Sequence, residues 1–341
     1  MSISSELLHR IADPSLDHNE RARLRCQLAK ELEDVGNYEA AREVMGELWS
    51  RVGERPVLEG LDEATAAEVL FRAGVLTGWI GSVRQIEGAQ ETAKDLISES
   101  ITRFEALRAT SKIAEAQTEL GYCYWRQGAL DEARTVLQTA LDRLRTDGDS
   151  EVKAIAFLRL AIVESSAKRL HDALSIDTEA APLFEKSSNH TLKGKFHNEF
   201  GFVLRNLGAA EHRPDYIDRA LIEYAAASYH FEQAGHTRYQ ACVENNLGYL
   251  FFTIKRFAEA HRHLDRAQAL FTSMKDSVHT AQVDDTRARV LLAEGRIAEA
   301  ERLVRSAVQI LERGGEQSLL AEALTTTESP SRGWAATGWR A

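Results

Sequence analysis

The sequence predicts an all-α fold, a solenoid of stacked antiparallel helix hairpins, and three observations carry that prediction. The chain of 341 residues is 28% charged and 7% aromatic with five prolines, a mixture that favours helix over strand or disorder. One alanine recurs in a shared local context: "GNYEAA", "GAQETA", "GALDEA", "KRLHDA", "DYIDRA", "KRFAEA" and "GRIAEA" end at Ala41, Ala93, Ala133, Ala173, Ala220, Ala260 and Ala300. The steps between these anchors are 52, 40, 40, 47, 40 and 40 residues, and self-similarity at such a period marks a repeat architecture. Apolar residues around the anchors recur at spacings of three, four and seven, which places them on one helical face.

The first unit closes on Ala41. Before Ala93 lie twelve residues more than the common step, around "RVGERPVLEGLDEATAAEVL", where Pro56 and Gly60 predict a loop followed by a longer leading helix. The unit of Ala133 has Leu120, Gly121, Tyr124, Gly128 and Leu130 before its anchor and Leu137 and Ala140 after it. Ala173 follows at the common step. Seven extra residues before Ala220 fall in "GAAEHRPDYIDRA", between the two helices of that hairpin. The Ala260 unit repeats the order with Leu247, Gly248, Phe251 and Phe257, then Leu264 and Ala267, and Ala300 closes the seventh unit.

Gly128, or the Lys255-Arg256 pair, marks the turn inside a hairpin. Small residues such as Gly121, Ala133 and Ala140 let two helices approach while Leu and aromatic side chains fill the gaps against the next hairpin. A single hairpin cannot bury its apolar face, so neighbours must stack. Insertions in such arrays map to loops on one face, often a contact face, and a neutral surface excursion is the alternative for either insertion.

A net charge of −10 and a pI near 5.6 argue against direct nucleic-acid contact, which needs a basic face. No run of eighteen apolar residues and no signal-type N-terminus occurs, so the expectation is a cytoplasmic protein without membrane contact. Cys26, Cys123 and Cys242 are odd in number and far apart, which fits reduced core residues. No metal, nucleotide or nucleophile motif occurs. His261 and His263, two apart on a helix, point to different sides and cannot chelate one metal alone. The expectation is therefore a non-enzyme without cofactor or metal, an unrecognised enzyme being the alternative.

The segments "ELGYCYWRQGALDEARTVLQTAL" and "NNLGYLFFTIKRFAEAHRHLDRAQAL" resemble the tetratricopeptide repeat family in their small-large order. The resemblance covers residues 20 to 326. It departs from the family in its period, which is usually about 34, and in lacking a consistent early Trp and closing Pro. The forty-residue step is similar to MalT-like regions of bacterial regulators and to Rap-type peptide receptors. The resemblance implies a right-handed superhelical array over residues 1–326, about seven repeats and the first part of an eighth. It also implies a scaffold, or the sensory part of a regulator, that holds a peptide or protein segment in a concave groove.

In that family the first helix of each hairpin lines the groove, with positions eleven, fifteen and eighteen residues before the anchor facing inward. Carried over here, with Gly208 taken as the turn glycine of the Ala220 unit, the candidates are Tyr122 and Trp125 in one unit. Lys195, Asn198, Phe202, Arg205 and Asn206 follow in the next but one, and Asn245, Tyr249 and Phe252 in the unit after it. Asn198 and Asn245 share one position, where an amide can pair with the N–H and C=O of an extended peptide. Phe202 and Tyr249 share another and offer aromatic shelves. Lys195 and Arg205 form a basic strip able to receive a carboxylate. The same residue types also fill inner walls structurally, and Asn246 stands where the family uses Asn to join helices.

The closing "TTTESPSRGWAATGWRA" breaks the pattern. A continued step would put glycine at 335 and alanine at 340, but Ala335 and Arg340 stand there, each after a tryptophan. The tryptophan codon ends in G, so reading one base earlier makes GGC, glycine, at 335 and, from a CGN arginine, GCG, alanine, at 340. One restored base permits "TTHGVAVARLGRHGLAR". The expectation is a one-base deletion, in the gene or its reported sequence, that makes 327–341 an out-of-frame, disordered tail. It leaves two alternatives to the groove reading: self-association through an uncapped C-terminal repeat, or a truncated regulator whose effector domain is lost.

Overall fold

The computed structural model describes residues 3–84, 86–146, 150–312, 319–321 and 323–326, and the tail at 327–341 lies outside them. Every regular element among the described residues is a helix. The chain divides into two compact units, Met1–Lys193 and Gly194–Ala341.

The first unit contains α1 (Ile3–Ile11), α2 (His18–Asp34), α3 (Tyr38–Met45), α4 (Glu63–Arg84), α5 (Ala89–Ala106), α6 (Thr110–Arg126), α7 (Leu130–Arg143), α8 (Glu151–Ser166) and α9 (Leu170–Lys186). α2 starts at a capping box, in which Asp17 accepts from the Glu20 N–H and the Glu20 carboxylate accepts from the Asp17 N–H. Pairs α2–α3, α4–α5, α6–α7 and α8–α9 are the hairpins expected from Ala41, Ala93, Ala133 and Ala173, and all four alanines are wholly buried. The expected twelve-residue excursion is a loop through Pro56 and Gly60 followed by α4, which at 22 residues exceeds the 17 of α6. Trp49 pins that loop, its ring 1% exposed and its Nε1 donating to the Glu54 carbonyl at 3.0 Å.

α10 (His190–Glu211) carries the chain into the second unit, which continues with α11 (Pro214–Gln233), α12 (Thr237–Thr253), α13 (Phe257–Ser273), α14 (Ser277–Ala293) and α15 (Ile297–Leu311). Ala220, Ala260 and Ala300 sit buried in α11, α13 and α15. The stub at 319–326 places Leu319, Leu320 and Ala323 against Val278, Ala281, Ala307 and Leu311, so part of the last repeat's apolar surface is covered.

The small residues act as expected. A Cβ on Gly121 would come within 2.7 Å of Leu137, and one on Gly248 within 2.7 Å of Leu264. Hydrogen at these two positions is what lets each Leu reach full burial, worth about 1.5–3 kcal/mol per side chain. The turn positions Gly128, Lys168, Lys255 and Gly295 all have φ between 60° and 79°, the left-handed conformation that ends a helix.

One expectation is corrected. Gly208 is not a turn residue: it lies inside α10, where its missing Cβ leaves room for Ile217 of α11. The seven extra residues are absorbed mostly as helix, with α10 running to Glu211 and α11 starting at Pro214. Proline is favoured at a first helical position, where no N–H is needed.

Cys26 and Cys123 are buried, Cys242 is half-buried, and all three are free thiols. No described helix is long and apolar enough to cross a membrane.

Candidate functional site

In the second unit, spacings of three, four and three along α10 bring Lys195, Asn198, Phe202 and Arg205 onto one face. Asn245, Tyr249 and Phe252 do the same on α12. The two faces meet. The Arg205 guanidinium lies 4.6 Å from the Phe202 ring centroid and 4.4 Å from that of Tyr249, a cation held by two aromatic rings. Phe252 packs edge-on to Tyr249 at 5.5 Å. One turn back, the Asn246 amide donates to Asn198 Oδ1 at 2.9 Å.

Two candidates stand apart from this cluster and one is placed differently from its counterpart. The Lys195 ammonium sits 5.0 Å over the Tyr239 ring. The Asn206 amide donates to the Phe202 carbonyl of its own helix at 2.8 Å. Asn245 is 6% exposed, and its Oδ1 has no hydrogen-bond partner among the described residues. It is therefore Asn246, read from sequence as a helix-joining residue, that meets Asn198.

In the first unit, Tyr122 and Trp125 stack at 4.9 Å near the end of α6. They extend a row that sequence positions alone did not supply: Trp79 of α4 lies 5.5 Å from Tyr122, and Tyr38 of α3 stacks on Trp79 at 5.1 Å. Two buried arginines face the row. Arg126 lies 4.0 Å from the Trp79 ring and 4.6 Å from that of Tyr122, and Arg159 lies 4.6 Å from Tyr122. The indole Nε1 of Trp125 donates to Ser166 Oγ at 2.8 Å.

The charges beneath this row are paired. Arg159 donates to Glu119 Oε1 at 2.6 Å and to the Thr118 carbonyl at 2.9 Å, and Arg72 pairs with Glu33. Burial pushes the Glu119 carboxyl up, but the Arg159 guanidinium more than offsets it and holds it below the usual carboxylate range. Glu33 goes the other way, raised by burial in spite of Arg72.

Glu119 and Arg159 both lie fourteen residues before their anchors, as does Asn246. Counting at eleven, fifteen and eighteen passes over that position. Opposite charges one step apart there were the available signal for the ion pair.

His261 and His263 turn to different neighbours, Nε2 of the first 3.1 Å from Glu294, just past the end of α14, and Nδ1 of the second 2.7 Å from Glu244 of α12.

Residues 112–190, which span α6 to α9, match the tetratricopeptide repeat family. Over that stretch the sequence reads as tetratricopeptide repeats. No curated protein matches it in sequence. Among solved structures, the repeat array is similar to the apo form of RapI, with a TM-score of 0.60 at 13% identity over 86% of this chain and 98% of that one. It is also similar to a Rap protein complexed with competence and sporulation factor, with a TM-score of 0.55 at 11% identity over 96% of each chain. A third similar structure is the apo form of the quorum sensor NprR from B. thuringiensis, with a TM-score of 0.52 at 12% identity over 95% of this chain and 90% of that one. At such identities the likeness is one of fold.

Proposed function

We propose that this protein is a non-catalytic binding module whose α10–α12 face takes an extended peptide or protein segment, as the sensory or scaffold part of a regulator. The observation that carries this reading is the joint face of Asn198, Phe202, Arg205 and Tyr249, in which amides, aromatic rings and a cation alternate at helical spacing. Amides serve the backbone of an extended chain, whereas aromatic and Arg side chains dominate the energetics of real interfaces. Further support comes from the fold. A similar Rap structure was solved with competence and sporulation factor, and NprR is described as a quorum sensor.

The test is selection from a display library of random nonapeptides on the immobilised full chain. Enrichment of related sequences that bind the wild-type chain and lose binding with Asn198→Ala or Tyr249→Ala supports the reading. Enrichment of sequences indifferent to both substitutions contradicts it.

A further inference from the structure

Thirteen residues before the anchor alanine, just ahead of a small residue, the repeats carry hydrocarbon: Leu28, Ile80, Leu120, Leu160 and Leu247. Phe200, ahead of Gly201, takes that place in the unit with the insertion. The seventh repeat departs from the rule, because Arg287 stands thirteen residues before Ala300. Its side chain is 15% exposed and pairs with Asp265 at 2.8 Å, and its Nε is a buried donor without an acceptor among the described residues. A guanidinium at a place built for Leu is costly, and native structures rarely leave such a donor unsatisfied without a reason.

Arg287 lines a cleft of about 570 Å³ between α13, α14 and α15. Three further cationic or ionisable groups reach the same space from different elements: His261 of α13, Arg296 of the α14–α15 turn and Arg302 of α15. Leu291, 3% exposed, and the half-buried Leu303 supply an apolar wall. The acids nearby are already engaged. Asp265 holds Arg287, Glu299 holds Arg296 through two contacts of 2.8 Å, and Glu294 is shared between His261 at 3.1 Å and Arg296 at 3.3 Å. Of the cleft's three arginines, Arg302 alone has no hydrogen bond or ion pair among the described residues.

We propose that this cleft is a second ligand site, one that takes a phosphate monoester with a small apolar body. Donors that converge from α14 and α15 suit a tetrahedral group with several oxygens better than a planar carboxylate, and the free Arg302 guanidinium and the Arg287 Nε are the groups left to donate. Leu291 and Leu303 receive the apolar body, in the manner of ligand clefts that combine hydrocarbon walls with a few placed polar groups. The site shares no residue with the α10–α12 face and does not rest on peptide binding. Its shared chemistry is the phosphate group, carried by an ester or present as the free ion.

The full chain tests this with two probes, phenyl phosphate and inorganic phosphate. Each is titrated at constant ionic strength, held with sodium chloride, while its phosphorus-31 linewidth is followed. Saturable binding is expected for both, roughly tenfold tighter for phenyl phosphate, whose ring leaves water for the two leucines. Arg302→Gln, at an exposed position, should weaken phenyl phosphate at least about tenfold. Arg305→Gln, on the same helix but outside the cleft and with a side chain 76% exposed, should leave it unchanged.

Arg287→Leu restores the residue type of the other repeats, so it should lose the ligand while its urea midpoint stays at or above that of the wild type. Equal binding of the two probes overturns the monoester and assigns the free ion as the source. Binding of neither overturns the site. So does binding that Arg302→Gln leaves unchanged, or that Arg305→Gln weakens as much as Arg302→Gln does.

Discussion

Arg159 of α8 and Glu119 of α6 lie forty residues apart in sequence, occupy the same place in successive repeats, and bond at 2.6 Å. Both are largely buried. Removing one partner strands the other charge, so Glu119→Ala or Arg159→Ala should each cost about 3–5 kcal/mol. Replacing both by Met should cost well under the sum of the two. Urea denaturation of the four chains, read as a double-mutant cycle, checks this.

The same pair shows what the sequence made visible. The anchor alanines were legible because a helix crossing that tolerates no side chain beyond Cβ must repeat wherever the crossing does. Gly128, with φ of 76°, was legible as a turn because left-handed backbone favours glycine. Gly208 misled for the converse reason, since a helix-packing glycine and a turn glycine look alike in one sequence. Its insertion was filled by residues that extend helices on either side of His212 and Arg213, leaving no composition signal of a loop. At the candidate site, Phe202, Arg205 and Tyr249 were found by register. Trp79 was not, because it lies fourteen residues before Ala93, a position that counting at eleven, fifteen and eighteen passes over, and Asn246 was set aside because a helix-joining Asn and a groove Asn are neighbours in the chain.

Gly248 should not tolerate a methyl group. Its added Cβ would sit 2.7 Å from Leu264, a side chain that is wholly buried and cannot move aside. Gly248→Ala is expected to destabilise by about 1–3 kcal/mol through overpacking. In a Leu264→Ala background the same change should cost much less, which thermal or urea unfolding of the two single variants and the double variant will measure.

His236 should make the second unit acid-sensitive. The imidazole caps α12, accepting from the Tyr239 N–H, and it is 2% exposed. Burial, and then the nearby Lys195, depress it from 6.5 to about 3. A depressed folded-state value means that its share of stability is present above the unfolded value near 6.5 and is lost as pH falls toward 3. The slope in that window is about 1.4 kcal/mol per pH unit for one proton. His236→Asn keeps a capping side chain and removes the titration, so its stability should fall less steeply between pH 6 and 4 in a denaturant series.

Tyr249 should matter more to ligand than to fold. It is half-buried, with Arg205 on one contact and Phe252 on another. Tyr249→Phe keeps the ring and should bind selected peptides within a few-fold of wild type. Tyr249→Ala should weaken them at least about tenfold, as truncation of an aromatic anchor does, with helix content by circular dichroism unchanged.

The most direct test of the binding role is titration calorimetry of one library-selected nonapeptide against the wild-type chain and against Asn198→Ala and Tyr249→Ala. Saturable one-to-one binding that both substitutions weaken tenfold or more is the predicted result. Binding of equal strength to all three chains would contradict the assignment of the α10–α12 face.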